Sequence, residues 1–330
     1  MRTAATSSSR RREKGRISLN ISKRSSAAAA TAKAARSATT AAKPANRCTP
    51  DRPTFALTGP SRALDYRQNA ARRDLADIAL AGQWFAPHYA VPQERRCRAG
   101  GADMLSADSK GTRISQLLPG EGFAVLEWSG DWAWGYSAHD RYVGYVRAAA
   151  LAETAEATHI VESRTALMFA EPSSRSAVAA VLPMGSRLAG RVDGDFLETG
   201  DGFVAVQQLR PVAEAIADPV AAAERLVDTP YLWGGRGIGG IDCSGLVQVV
   251  FGLAGIALPR DSDQQRTAGR AADGEIRRGD LLFWDDHVII ASGGDRAVHA
   301  NGHWMRTIEE PLDVIIARLG EPVARRRVLP

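Results

Sequence analysis

Cys243 is the residue of this sequence best set to act as a nucleophile. A thiol attacks a carbonyl only as thiolate, and a free cysteine sits well above neutral pH, so it needs a helix N-terminus, a neighbouring imidazole, or both. The stretch YLWGGRGIGGIDCSGLVQVVFGLAGI (231–256) offers the first. Its glycines let the backbone approach closely, and a strongly apolar helix starts at or next to the cysteine. The partial positive charge there favours the anion by only about 0.3–2 kcal/mol, so a base must supply the rest. His287 follows Asp285-Asp286 and opens HVIIA; His299 lies twelve residues on, in AVHA. Two adjacent antiparallel strands would set both imidazoles on one face, with His287 as base and His299 as the orienting third member of a triad.

Several elements must position these groups. DPVAAAERLVD (218–228) predicts a helix with Asp218 at its N-cap and Pro219 at the first helical position. The helix after Cys243 is too apolar all round to lie on a surface. Beyond it DLLFW, HVIIA and AVHA read as short strands, so residues 213–330 form an α+β domain. Upstream, residues 96–152 and 158–212 are strand-rich: LLPGEGFAVLEWSGDW and VLPMGSRLAGRVDGDF repeat an apolar–Pro–Gly turn, a strand and a Gly-Asp turn at an offset of 64 residues. Each unit is long enough for one small all-β, SH3-like barrel, the second copy degenerate. Residues 50–95 form a lead-in, in which Asn69–Leu80 spaces its apolar residues as one short amphipathic helix.

YLWGG, DCSGLV, LPRDSDQQ, GDLLFW, HVIIA and VHA occur in the order found in the NlpC/p60 superfamily of cell-wall cysteine peptidases, which residues 213–330 resemble. The resemblance implies a papain-like fold with Cys243 as nucleophile, His287 as general base, His299 as orienting residue, and Tyr231 facing the scissile carbonyl. With two SH3-like units ahead of it, the layout is similar to γ-D-glutamyl-L-diamino-acid endopeptidases. These cleave after L-Ala-γ-D-Glu in murein tri- and tetrapeptides and hold the free ammonium in a closed pocket partly walled by the first barrel. On that resemblance Asp242 is the acidic ligand, Ser244 and Ser262 bind the peptide, and Arg260 and Asp261 belong to the same block. A buried ammonium needs a carboxylate, which agrees. Glu127, Tyr142 and Tyr145 are the first barrel's candidates by chemistry. The strand after His287 reads VIIA where relatives often show a glycine.

Each residue also has a structural reading: Cys243 as a buried thiol, His287 as a core histidine, Tyr231 as a core aromatic, Asp242 as a helix cap. His299 and His303 are four apart, but no third ligand stands nearby and no CxxC is present, so no metal and no cofactor are expected. Three widely spaced cysteines make no disulfide framework and fit a reducing compartment. The net charge of +5 divides unevenly: residues 1–49 hold twelve Lys or Arg against Glu13, or +11, which leaves −6 for the rest. An acidic body gives no sign of a nucleic-acid partner. The basic tail is poor in large apolar residues and is expected to be disordered; an organellar transit peptide, sequence upstream of a later start, and a polyanion-binding arm all remain open for it. No apolar run spans a membrane and no secretory signal is read, so the expectation is a cytoplasmic enzyme with no obligate protein partner. The rival functions are a catalytically silent wall-binding protein, a periplasmic hydrolase of intact peptidoglycan, and a papain-like acyltransferase.

Overall fold

The computed structural model describes residues 64–329 apart from 238; the basic tail and the start of the lead-in lie outside the described residues. The first barrel is an antiparallel seven-stranded sheet. Its order is Arg113–Leu117, Ala102–Leu105, Val143–Arg147, Trp132–Ser137, Gly122–Ser129, Gln93–Cys97 and Leu151–Ala152. Inward positions give a core of Cys97, Met104, Leu117, Phe123, Val125, Ala133, Val146 and Leu151. A bulge between Val125 and Glu127 breaks the alternation on the long strand.

The second barrel is two antiparallel sheets, one of three strands and one of five, closed over Val161, Met168, Leu182, Leu188, Leu197 and Val204. The repeat legible in the sequence is a repeat of structure at its turns. Gly130 and Gly194 take φ of 56° and 58° between their hairpin strands. Only a residue without Cβ adopts that left-handed conformation freely.

The lead-in departs from the expected helix. Leu75–Asp77 is a strand, paired in parallel with His88–Ala90, and Ile78–Leu80 is a single 3-10 turn capped by Asp77. The apolar spacing of Asn69–Leu80 serves another purpose: Ala70 and Leu75 cover Ala124, Leu126, Trp134 and Tyr136 on the barrel's outer face. An extended segment satisfies that sheet where a helix could not lie flat, so tertiary packing outweighs local spacing.

In the C-terminal domain α1 is Pro219–Arg225 and α2 is Cys243–Leu253. Asp218 caps α1 through the Val220 and Ala221 N–H groups. Every residue of α2 but Gly252 is buried, as its composition requires. It packs on the strands Val288–Gly293 and Arg296–Asn301 through Leu246, Val250, Val288, Ile290 and Val298. Those strands belong to a six-stranded antiparallel sheet ordered Arg270–Ala271, Ala324–Arg327, Leu281–Phe283, Val288–Gly293, Arg296–Asn301, Arg306–Pro311. The short helix α3 (Ser262–Gln265) follows the Arg260-Asp261 pair, and α4 (Leu312–Leu319) covers the sheet's far face with Leu312 and Ile315 against Trp284 and Ile289. No helix among the described residues is long and apolar enough to cross a membrane.

Candidate active site

Cys243 is the first residue of α2, and Asp242 is its N-cap, accepting from the Gly245 N–H at 2.7 Å. The glycine-rich loop folds back against this helix start. A Cβ at Gly245 would stand 2.4 Å from the Gly235 carbonyl oxygen, so only glycine lets the loop approach so near. The thiol is buried. Burial first, then the Asp242 charge, pushes it up to about 12, while the Val288 and Ser244 N–H groups and Arg260 pull the other way.

The Val288 N–H faces the thiol, which brings the backbone that carries His287 close to Cys243. Its Nε2 lies 2.8 Å from His299 Nδ1. The register pairs Ile290 with Val298 and Ala291 with Ala297, which puts His287 and His299 diagonally on one face, as the strand alternation predicts. Burial lowers His287 to about 3. Burial therefore favours a neutral thiol and a neutral imidazole at rest. His299 is in turn 2.9 Å from a Glu310 carboxylate oxygen.

A cleft of about 310 Å³ opens over the thiol, lined by Tyr231, Trp233, Asp242, Ser244, Ser262 and Asp286 from the C-terminal domain and Ile114 and Tyr142 from the first barrel. Tyr231 is raised to about 12, by burial first and then by its nearness to Cys243 and Asp242; it stays a protonated donor. Its backbone is fixed by a bond to the Met305 carbonyl at 2.9 Å.

The remaining sequence candidates divide. The Asp242 carboxylate is bonded through both oxygens. Oδ1 accepts from Gly245 N–H, Arg260 Nη1 and Ser244 Oγ, and Oδ2 from Gly234 N–H and Arg260 Nη2. It also lines the cleft beside Cys243, where its charge is shared with the buried Arg260 guanidinium. Arg260 is 1% exposed and sits beneath the cleft, bonded to Asp242, Ser244 and Ser115 of the barrel. Asp261 lines the cleft instead, accepting from the Tyr142 hydroxyl at 2.9 Å. Burial raises its carboxyl, against the opposing pull of Tyr142, Arg260 and Arg67. Of the three barrel candidates only Tyr142 reaches the cleft. Glu127 and Tyr145 both bind Arg72, at 2.8 and 3.1 Å, and so fasten the lead-in to the barrel.

Two groups escape a reading of motifs. Arg67, from the lead-in, enters the cleft and bonds Asp65, Asp261 and Asp263. Glu310 stands behind the histidines, held by Arg318. Neither lies in a recurring pattern; the one hint is that Glu310 falls two residues along its strand from the partner of His299.

The NlpC/P60 family model matches residues 228–314, and that of the bacterial dipeptidyl-peptidase Sh3 domain matches residues 105–151. Dipeptidyl-peptidase 6 of Lysinibacillus sphaericus is 31% identical over 225 residues, which span 57% of this chain and 80% of that protein. The chain belongs to the NlpC/P60 family. It is thus a peptidase, a hydrolase of peptide bonds. A γ-D-glutamyl-L-lysine dipeptidyl-peptidase of Bacillus subtilis is 31% identical over 113 residues, 31% of this chain and 38% of that protein. The crystal structure of an NlpC/P60 family protein from Bacillus cereus aligns with a TM-score of 0.63 at 19% identity, over 72% of this chain and 100% of that one. The two share a fold over that span.

Proposed function

We propose that this NlpC/P60 peptidase is a cysteine endopeptidase that hydrolyses the γ-D-glutamyl-L-diamino acid bond of murein peptides bearing a free N-terminal L-Ala. The observation that carries this reading is the Tyr142–Asp261 pair, a carboxylate from the C-terminal domain gripped by a barrel phenol inside the cleft that holds Cys243. A carboxylate facing a partly closed cleft suits an ammonium that enters with the substrate, and the barrel wall limits how much chain can lie beyond it. Asp263, Asp285 and Asp286 add negative charge around the opening. The relatives named for γ-D-glutamyl-L-lysine support the same bond.

In this reading His287 Nδ1 takes the Cys243 proton as sulfur attacks the γ-glutamyl carbonyl carbon. The Cys243 N–H and the Tyr231 hydroxyl donate to the oxyanion. The tetrahedral species collapses, His287 returns the proton to the departing diamino-acid nitrogen, and a thioester remains. Water, deprotonated by His287, attacks the thioester and frees the thiol and L-Ala-γ-D-Glu. Ser244 and Ser262 bond the peptide, and the carboxylates of Asp242 and Asp261, which both line the cleft, meet the ammonium.

The test is to incubate L-Ala-γ-D-Glu-meso-diaminopimelate and its L-Lys counterpart with wild type and Cys243→Ala. Wild type alone should release the dipeptide, and N-acetylation of the substrate should abolish turnover. Turnover by Cys243→Ala removes the nucleophile assignment; equal rates on acetylated peptide remove the ammonium subsite. A protein that binds peptidoglycan and cuts none of these peptides is the silent wall binder instead.

A further inference from the structure

Glu310 lies on the strand Arg306–Pro311, which pairs His299 with Ile308 and Ala297 with Glu310, so Glu310 and His299 share one face of the sheet. Each carboxylate oxygen has two donors. Oε1 accepts from Trp304 Nε1 at 3.1 Å and Arg318 Nη1 at 3.1 Å. Oε2 lies 2.9 Å from His299 Nε2 and accepts from Arg318 Nη2 at 2.6 Å. The side chain is buried, which opposes its ionisation, yet Arg318 and His299 outweigh that and hold the carboxyl at about 2. An ionised carboxylate only accepts.

That one constraint propagates. His299 must carry its proton on Nε2, and its Nδ1 is then a lone pair. Asn301 Nδ2, 3.5 Å from that nitrogen, is a second donor toward it. His287 Nε2, 2.8 Å away, must donate to it. The neutral His287 ring then has its lone pair on Nδ1, the nitrogen left free to take a proton from the thiol. We propose that Glu310, clamped by Arg318 and Trp304, is a positioning residue that fixes the tautomers of His299 and His287 and so makes His287 Nδ1 the basic nitrogen. This rests on the assignment of Cys243, His287 and His299 to catalysis. Glu310 touches no reacting atom and does not become protonated. When His287 takes the thiol proton it becomes an imidazolium, still donating through Nε2, and the Glu310 charge at the end of the chain favours that state.

Glutamine at 310 keeps the shape but can offer an N–H to His299 Nε2, which would shift the His299 proton to Nδ1 and oppose the His287 Nε2–H. Glu310→Gln should lower kcat about ten- to hundredfold, the size carried by outer partners of ligating histidines, with KM within about twofold. In the His299→Asn background the same change should add little, because the tautomer it controls is gone. Nitrogen-15 NMR of the resting, histidine-labelled wild type should show both His287 and His299 as Nε2–H tautomers, and Glu310→Gln should mix the His299 forms. An Nδ1–H tautomer at His299 in wild type overturns the proposal, even where Glu310→Gln does not fold; so does a folded Glu310→Gln with wild-type kcat. Activity in Cys243→Ala would instead remove the underlying assignment. Loss of activity in Cys243→Ala beside full activity in Glu310→Gln would remove the relay alone.

Discussion

The two barrels share a repeat but meet the peptidase domain by different means. The first enters through buried polar groups. Arg236 of the glycine-rich loop pairs with Glu121 at 2.6 and 3.0 Å and donates to the Gln116 carbonyl. Gln248 of α2 donates to Asp140 at 2.7 Å, Arg260 to Ser115 at 3.0 Å, and Tyr142 to Asp261 at 2.9 Å. The second barrel enters through apolar side chains: Ile160 and Met184 join the core built by Leu246, Val249 and Val250. Its ion pair to the domain, Glu162 with Arg225 at 3.5 Å, is part-exposed and weak. Apolar packing is tolerant of direction; buried hydrogen-bonded charges fix it. The first barrel therefore sets the geometry of the loop and helix that carry Cys243, and the second supplies bulk.

Breaking the charged contact should have the largest effect on turnover. Glu121→Ala leaves the Arg236 guanidinium buried without its carboxylate, at a cost of about 3–5 kcal/mol. Thermal melting should fall, and kcat/KM should collapse even in the protein that stays folded, since Arg236 orients the loop that ends at Cys243. Wild-type turnover in a folded Glu121→Ala would make the first barrel as passive as the second.

Acid should act on the same contact. Burial opposes ionisation of Glu121 and Asp140, but Arg236 beside Glu121 and His139 beside Asp140 hold both carboxyls below their usual values of 4.5 and 3.8. A depressed carboxyl contributes stability that is complete above its unfolded value and is lost as pH falls through the folded one. Below about pH 4.5 the first barrel's junction with the domain should therefore loosen progressively, while the junction at Ile160 and Met184 rests on apolar packing, with only the part-exposed Glu162–Arg225 pair beside it. Hydrogen exchange across pH 3–7 should show protection failing first at Gln116–Leu118 and Arg236. Equal loss at both barrels would erase the distinction.

The parts that read out of the sequence are those whose chemistry is local. The cap at Asp242, the glycines that admit the helix start, the two histidines at strand spacing and the paired Gly-Asp turns all depend on neighbours within a few residues. The parts that did not are set by distant segments. Asp242 is a helix cap in any local reading, and only Arg260, eighteen residues on, shows that it is also paired with a buried guanidinium. Tyr142 and Tyr145 are three residues apart in one motif, yet one faces the cleft and the other Arg72. Arg67 has no motif at all, and the lead-in that carries it has helical spacing but an extended structure, because a sheet face needed covering.

A smaller effect is expected where the barrel touches substrate rather than the loop. Tyr142→Phe removes one donor to Asp261 and should raise KM about tenfold, the scale of a hydrogen bond to a charged group. The sign with pH follows from the pair. Tyr142 favours ionised Asp261, so its loss lets a carboxyl already raised by burial rise further. The KM defect should widen as pH falls and narrow as it rises; a defect constant from pH 5 to 8 would place the tyrosine outside the ammonium subsite.

The smallest effect on turnover should come from the second barrel, even where the damage to stability is large. Leu197 is fully buried and packs only within that barrel's core, with Met168, Leu182 and Val204. Leu197→Ala deletes buried methyl groups and leaves a cavity, a loss of about 2–5 kcal/mol. That cost is of the same order as Glu121→Ala, but it falls on a unit joined to the domain by apolar contact and one part-exposed ion pair. Below its lowered melting temperature Leu197→Ala should keep kcat and KM within about twofold of wild type. Equal destabilisation with unequal activity separates a barrel that shapes the active site from one that merely holds on. A large loss of kcat in Leu197→Ala would mean that strain passes from the second barrel's core to Cys243 after all, through Met184 and α2.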